Sequence, residues 1–543
     1  MTRMSDHPLR RAIAGEVLVP GAAGYEAVRK PAIARYHDVR PGAIVRCENA
    51  GDVAETLAFA RRSGLPVAPR SGGHCFAGRS STEGIVIDVG PMSSVSVSDG
   101  VATVGAGTRL GSLYDALQEH GLTVAAGCGP TVGIAGLTLG GGLGVLGRKH
   151  GLTCDQLLAA QVVLADGRVV DCDEHHDADL FWALRGAGGG QFGVVTSLVF
   201  RTLPALPATT FHLVWPYTHA AAVIGAWQDW APDAPDELNA SLRLTSDVNL
   251  FGAMLGGESE TVVLLEQLTA QIGAVPESAT CRQLPYRAAK ESLVGLGSLE
   301  DEDESGLLAH KSELFRHPLP ADAIAALVRR LAHGRRPGES RELNFTPLGG
   351  AYNRVAADAT AFAHRAERFL VEHVLVAAPG AGRRSGVAAG VVGDGAPVGL
   401  RTRLPQLPRP RADRLGGGVP RGQLRAPGAR ETRVRPGQRL PLRPVALSPA
   451  ADEGPDRAAA PRRVPAARRR APAQRPAMPP RTRRALTASS RSSRRDTAHI
   501  STGSSPSLRW ERGVFGATRT AVPAPTACTS SPKRIVSVPR VTT

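Results

Sequence analysis

The stretch Arg70-Ser71-Gly72-Gly73-His74-Cys75-Phe76-Ala77-Gly78-Arg79-Ser80 lies between two short apolar runs, at 65–68 and 84–89. That pattern is a tight loop joining two strands. Two adjacent glycines let backbone N–H groups approach an anion with no Cβ in the way, and successive N–H groups in such a turn form a concavity suited to phosphate oxygens. Arg70 and Arg79 add fixed positive charge on either side, and His74 sits inside the loop. On this loop alone a phosphate-bearing ligand and a plain surface turn with an incidental histidine stand level.

A second stretch has the same texture. Ala125-Ala126-Gly127-Cys128-Gly129-Pro130-Thr131-Val132-Gly133-Ile134-Ala135-Gly136 runs on through Gly140-Gly141-Gly142 to Gly144. Each glycine costs roughly 0.5–1 kcal/mol of backbone entropy relative to alanine, so a window this rich implies backbone held close to something flat or anionic. Two matches to GxGxxG, at 142–147 and 188–193, lack the strand–loop–helix frame and acidic partner of a dinucleotide fingerprint and read as chance. His175 and His176 beside Asp173 and Asp177 crowd one polar loop, whereas metal ligands normally come from more than one element; no metal site is expected.

Around these stretches the chain alternates strand and helix. Residues 1–36 read as a polar lead-in. Ala43-Ile44-Val45 is a strand, and Val53, Leu57 and Ala60 recur at helical spacing. A hairpin turns at Asp99-Gly100 and another at Asp166-Gly167. Leu110, Leu113, Tyr114 and Leu117 line one helix face. A short helix covers 179–185 and a buried strand 193–200. From Pro204 helical stretches (Ala220–Trp230, Ala321–Ala332) alternate with strand-like runs at 241–244 and 261–265, and Asn344-Phe345 and Gly349 to Asn353 look like loops.

The chain has 543 residues and a formal net charge of +16. The charge is unevenly placed: 33 of the 65 Lys and Arg, but only 8 of the 49 Asp and Glu, lie from Val376 onward. The front is mildly acidic and the basicity belongs to the tail, which weakens a nucleic-acid reading of the whole protein. The 7 cysteines are scattered with no CxxC pair, so neither a disulfide framework nor a zinc site is implied. Arg10-Arg11 precedes nothing long enough for a signal core, and no apolar run spans a membrane. A cytoplasmic location is expected.

Taken together the motifs resemble berberine-bridge-enzyme-like flavoprotein oxidases, whose FAD domain is of the p-cresol-methylhydroxylase/vanillyl-alcohol-oxidase (PCMH) type. The resemblance is carried by Arg70 to His74, Pro130 to Gly136, Gly140-Gly141-Gly142, Gly151-Leu152-Thr153-Cys154-Asp155, Asp179 to Gly186, and Gly188 to Thr196. It covers about residues 9–370. It implies an α+β fold: a two-subdomain PCMH-type FAD-binding domain at 37–205, then an α+β substrate domain with an antiparallel sheet at 206–375. It implies FAD joined covalently through the His74 imidazole to the flavin 8α carbon. Arg70, Ser71, Gly72, Gly73, Cys75, Cys128, Gly129, Thr131, Val132, Gly133, Gly136, Gly140, Gly141, Gly142 and Gly144 form the cofactor-binding set. Gly193 and Val195 complete it near the adenosine end. Members with a second link carry cysteine directly before Pro-Thr-Val-Gly. Here that position is Gly129, and Cys128 stands one place early, where an extended segment turns its side chain to the other face. A single link through His74 is therefore expected.

The family returns to its FAD domain with a Tyr-x-Asn-Tyr run and then Tyr-Asp-Pro. Neither is present. After Phe369 the only aromatics are Trp510 and Phe515, and Arg, Pro, Ala and Gly dominate; such a stretch cannot bury enough apolar surface to order itself. Residues 403–410 and 434–440 can be back-translated with codons that, read one base later, give Tyr-Leu-Asn-Tyr-Pro-Asp and Tyr-Asp-Pro-Gly-Asn-Val-Phe, in family order and in one frame. A one-base slip between about His373 and Val391 is expected to have replaced the C-terminal segment by a disordered tail at 376–543. The general base of the family lies near that segment, so none is assigned; Glu342 and Tyr352 are weak substitutes. The expected function is hydride transfer from an alcohol, sugar or secondary metabolite to FAD, with O2 as acceptor. The alternatives are a chain inactivated by loss of that segment, and a nucleic-acid binder acting through the Arg-rich tail.

Overall fold

The computed structural model describes residues 8–297, 307–335 and 337–377. The tail, and with it the frameshift, the disorder and the nucleic-acid alternative, lies outside the described residues.

Short apolar runs flanked by turns make the first half. Ala43–Arg46, Ile85–Asp88 and Val67–Arg70 pair in parallel, with Glu16–Leu18 added antiparallel at one edge. Helix Ala50–Ser63 packs on them through Val53, Leu57 and Ala60, and Asn49 caps it by accepting from the Asp52 N–H. The second sheet runs in the order Val95–Ser98, Val101–Gly105, Val194–Arg201, Leu157–Val163, Val169–Asp173, all antiparallel. Its first hairpin turns at Asp99 and Gly100, both with positive φ, as the Asp-Gly pair demands. The glycine-rich loops lie where the two sheets meet.

The second half is a seven-stranded antiparallel sheet in the order Ser278–Leu284, Ala208–Pro216, Asp247–Met254, Leu238–Leu244, Glu339–Pro347, Phe369–Ala377, Leu307–Phe315. One face is apolar: Leu213, Trp215, Leu242, Leu250, Phe345 and Val371 pack with helices Ala220–Trp230, Glu258–Ile272 and Ala321–Ala332. Because side chains alternate along a strand, the register puts His212, Asn249, Arg243, Asn344, Glu372 and His310 on the other face. That face looks toward the glycine loops.

Three expectations fail locally. The lead-in is structured from residue 8: Tyr25 is fully buried and donates to Pro41 O at 2.6 Å, and the Asp52 carboxylate accepts from the N–H groups of Ala14 and Gly15. Residues 261–265 are helical, because Thr261, Leu265, Leu268 and Ile272 form one buried stripe that outweighs their β-branched neighbours. Asn344 and Phe345 are mid-strand, with Phe345 at the centre of the core.

Candidate active site

The site is built by backbone brought against backbone. A Cβ on Gly72 would fall 2.2 Å from the Gly133 nitrogen, and one on Gly133 would fall 2.1 Å from Ser71 Oγ. Only glycine fits either position. The Ser71 hydroxyl donates to Ala106 O at 2.7 Å; Ile134 N donates to Thr108 O, and Leu110 N to Val132 O. Loops 70–75, 106–110 and 129–134 are thereby laced into one floor. Among the described residues the N–H groups of Gly72 and Gly73, and of Gly142 and Leu143, donate to no protein acceptor. Free donors on glycine-lined backbone suit a pyrophosphate, so the residues present fit the FAD that the resemblance implies.

His74 stands at the mouth of this floor, with Nε2 2.9 Å from the Thr131 hydroxyl of the facing loop. Desolvation first, and then the positive charge of Arg109, hold its pKa below the ordinary value, so the ring is neutral near pH 7. Arg70 does not face the floor. It is 5% exposed, and its guanidinium donates to the carbonyls of Ser80, Val28 and Arg29 and to the Ser81 hydroxyl. It braces the loop, while Arg79 is exposed.

The other expected cofactor residues divide. Gly141 and Gly142 have positive φ and no room for a Cβ against Phe362 and Thr153 respectively. Gly144 is bonded through both its N–H and its carbonyl to the Tyr352 hydroxyl. Gly136 and Gly140 are exposed at the short helix Ile134–Leu139. Gly193 packs on Val162, and Val195 is buried in the core rather than lining the floor. Cys75 is half-buried. Cys128 is half-buried too and packs with the apolar cluster of Tyr286, Leu146 and Ala253. His175 and His176 lie in the Asp173 turn, with the His176 ring 2.9 Å from that carboxylate.

The two substitute bases do not serve. Tyr352 is 2% exposed, bonded to Gly144, and burial pushes its pKa up to about 12. Glu342 is gripped by two hydrogen bonds from Arg243, at 2.9 and 2.6 Å.

Opposite the floor lies the polar face of the seven-stranded sheet. It meets the first half at two apolar contacts: Ala253 with Tyr286 and Leu146, and Leu314 and Leu370 with Leu152 and Tyr352. Between them Ser241, Arg243, Asn249, Asn344 and Glu372 are partly accessible. Phe76, two residues past His74, stacks on His310 with ring centroids 4.2 Å apart. His310 Nε2 is 3.0 Å from the Glu372 carboxylate. Sequence reasoning missed this pair. The available signal was a lone carboxylate inside the apolar strand Phe369-Leu370-Val371-Glu372-His373-Val374-Leu375.

A glycine-laced floor with a histidine at its rim suits the pyrophosphate of a nucleotide cofactor. Residues 41–173 match the family described as "FAD binding domain". The chain is 34% identical over 372 residues, 66% of its length and 81% of the relative's, to an uncharacterized FAD-linked oxidoreductase of Bacillus subtilis, YvdP. Among solved structures it resembles the berberine-bridge-enzyme-like protein 1 of Physcomitrella patens (28% identity, TM-score 0.62, 68% of this chain and 82% of that one). It also resembles the glucooligosaccharide oxidase of Acremonium strictum (28% identity, TM-score 0.62, 68% of this chain and 82% of that one), an enzyme with a 6-S-cysteinyl, 8α-N1-histidyl FAD. The chain belongs to the berberine-bridge-enzyme-like FAD-linked oxidoreductases, and its C-terminal 166 residues aside, it carries their fold.

Proposed function

We propose that the protein oxidises an alcohol-type donor, a sugar or a hydroxylated secondary metabolite, with O2 as acceptor and with FAD held covalently by His74 alone. The observation that carries this reading is the placement of a neutral imidazole between the two glycine loops, facing a polar sheet. Bound FAD supplies the two-electron acceptor. Nε2 pairs with the Thr131 hydroxyl of the facing loop, which orients the ring at the mouth of the floor; the imidazole is the attachment point in this reading. The displaced Cys128 supports the single link, since it packs into the interdomain cluster.

Glu372 is the proton acceptor in this reading. Its carboxylate takes the hydroxyl proton of the donor as the C–H hydride leaves, and His310 fixes its orientation. His310 is itself held by Phe76, so the acceptor and the cofactor loop move as one unit. This assignment places the base inside the described fold, independent of the tail.

The test is direct. The protein is purified, precipitated with acid and inspected for yellow colour in the pellet. Retained colour that disappears in His74→Ala supports the covalent flavin; colour that washes out of the wild-type pellet refutes it. Anaerobic mixing with aldoses and alcohols, followed by air, then reads reduction and reoxidation in the flavin absorbance.

A further inference from the structure

Lys290 has no part in the reading above. It lies on helix Tyr286–Gly297 of the second half, 2% exposed. Its Nζ donates across to the carbonyls of Ala126 and Gly127, at 2.6 and 2.8 Å, and sits 4.3 Å from the Tyr114 ring centroid. No ion pair to it is found among the described residues. A buried ammonium without a carboxylate is expensive, and burial draws its pKa down. The Tyr114 hydroxyl also donates to Gly127 O, at 2.6 Å. Two donor groups thus make three hydrogen bonds to two consecutive carbonyls.

The consequence appears at the other end of those peptide groups. In a trans peptide the C=O and N–H point in opposite directions. With both carbonyls turned onto Lys290, the N–H groups of Gly127 and Cys128 project away from the interdomain core. Neither donates to a protein acceptor among the described residues, and residues 127–130 are partly accessible. A few residues on, Thr131 holds His74. A cation on the carbonyl oxygen polarises the peptide and strengthens its N–H as a donor.

We propose that the Gly127 and Cys128 amides, backed by Lys290, form an anion cradle that stabilises the negative charge FAD acquires on accepting a hydride. The proposal rests on the flavin reading above. It makes Lys290 a positioning residue, acting through backbone rather than touching the cofactor, and it makes the charge of Lys290, not its bulk, the working property.

The test compares wild-type holoprotein with Lys290→Met, Lys290→Gln and Tyr114→Phe, by sulfite titration of the flavin absorbance and by dye-coupled midpoint potential. Sulfite adds to oxidised flavin and leaves the same negative charge on the ring. Lys290→Met should keep its covalent yellow colour, weaken sulfite binding by about tenfold or more, and lower the midpoint potential. Lys290→Gln, which keeps a donor but loses the charge, should follow it; Tyr114→Phe, which loses a bond without a charge, should stay near wild type. Sulfite affinity within about twofold of wild type in Lys290→Gln overturns the proposal. So does an equal shift in Tyr114→Phe, which would mean that loosening the loop is enough. Colourless wild-type protein would instead defeat the flavin reading, and this proposal with it.

Discussion

Phe76 and His310 lie ring on ring, 4.2 Å apart and inclined by 14°, and so tie the histidine loop to the strand pair that carries Glu372. Removing the carboxylate while keeping its shape tests the role assigned to it. Glu372→Gln should retain covalent flavin and its visible spectrum. Its kcat should fall by about 10²–10⁴ with little change in KM, the range typical of a lost general base. Stopped-flow flavin reduction reads the step directly; unchanged reduction kinetics would remove Glu372 from the mechanism.

Replacing Gly72 by alanine puts a methyl carbon 2.2 Å from the Gly133 nitrogen. The obstacle is backbone, so it cannot swing aside. Gly72→Ala should lose about 1–3 kcal/mol of stability to overpacking and most of its bound flavin. Gly136→Ala, where a Cβ meets nothing within 4 Å, is the control and should retain both. Denaturant midpoints and the ratio of flavin to protein absorbance measure the pair.

His74 gives a pH dependence of known sign. Its pKa lies below 6.5 through burial and the Arg109 charge, so the nucleophilic neutral ring persists into mildly acid solution. Attachment of added FAD to apoprotein should be flat above about pH 6.5 and fall only below it. Arg109→Gln removes one depressing influence and should move that acid limb upward. The rate of acid-stable fluorescence gain checks both.

The strap from 355 to 368 is fixed by Arg365, which donates to both Asp155 oxygens at 2.9 and 2.7 Å; the two side chains are 3% and 8% exposed. Arg365 also donates to the Thr360 hydroxyl. Asp155→Asn strands a buried guanidinium and should cost about 3–5 kcal/mol, measured by thermal or denaturant unfolding. Breaking an exposed pair such as Arg168 with Asp166 should leave the unfolding midpoint nearly unchanged, because water screens it.

The coding DNA tests the tail. A single inserted or deleted base between about His373 and Val391 should restore Tyr-x-Asn-Tyr and Tyr-Asp-Pro in one reading frame. If no such correction exists, the frameshift reading is wrong.

Much of the first half was legible because its signals are local. Asp99-Gly100 forces a hairpin, and the glycines of 70–75 and 129–144 have few conformational reasons to be there except close approach. The helices Ala220–Trp230 and Ala321–Ala332 have clear apolar stripes and occur with those bounds. What failed depended on distant partners. The run at 261–265 is β-branched in sequence, but its stripe is set by the sheet beneath it. Tyr25 is buried against Leu18, Ile44 and Val86, and Asp52 is capped by the backbone of Ala14 and Gly15, partners that no window reveals. Glu372 was overlooked because a carboxylate in an apolar strand gains meaning only once Phe76 and His310 are seen beside it. Lys290 was invisible for the same reason: its partners are carbonyls, which carry no residue signature.

The order of the sheet has a consequence for how the chain is made. Among the described residues Leu307–Phe315 pairs only with Phe369–Ala377, which leaves the ribosome later. Until then its open edge is available to any other nascent strand. Lys311 and Glu313 interrupt its apolar residues on the face that later meets the helices, and such charges discourage premature pairing. A longer pause in translation between these two segments should therefore lower the yield of correctly folded product.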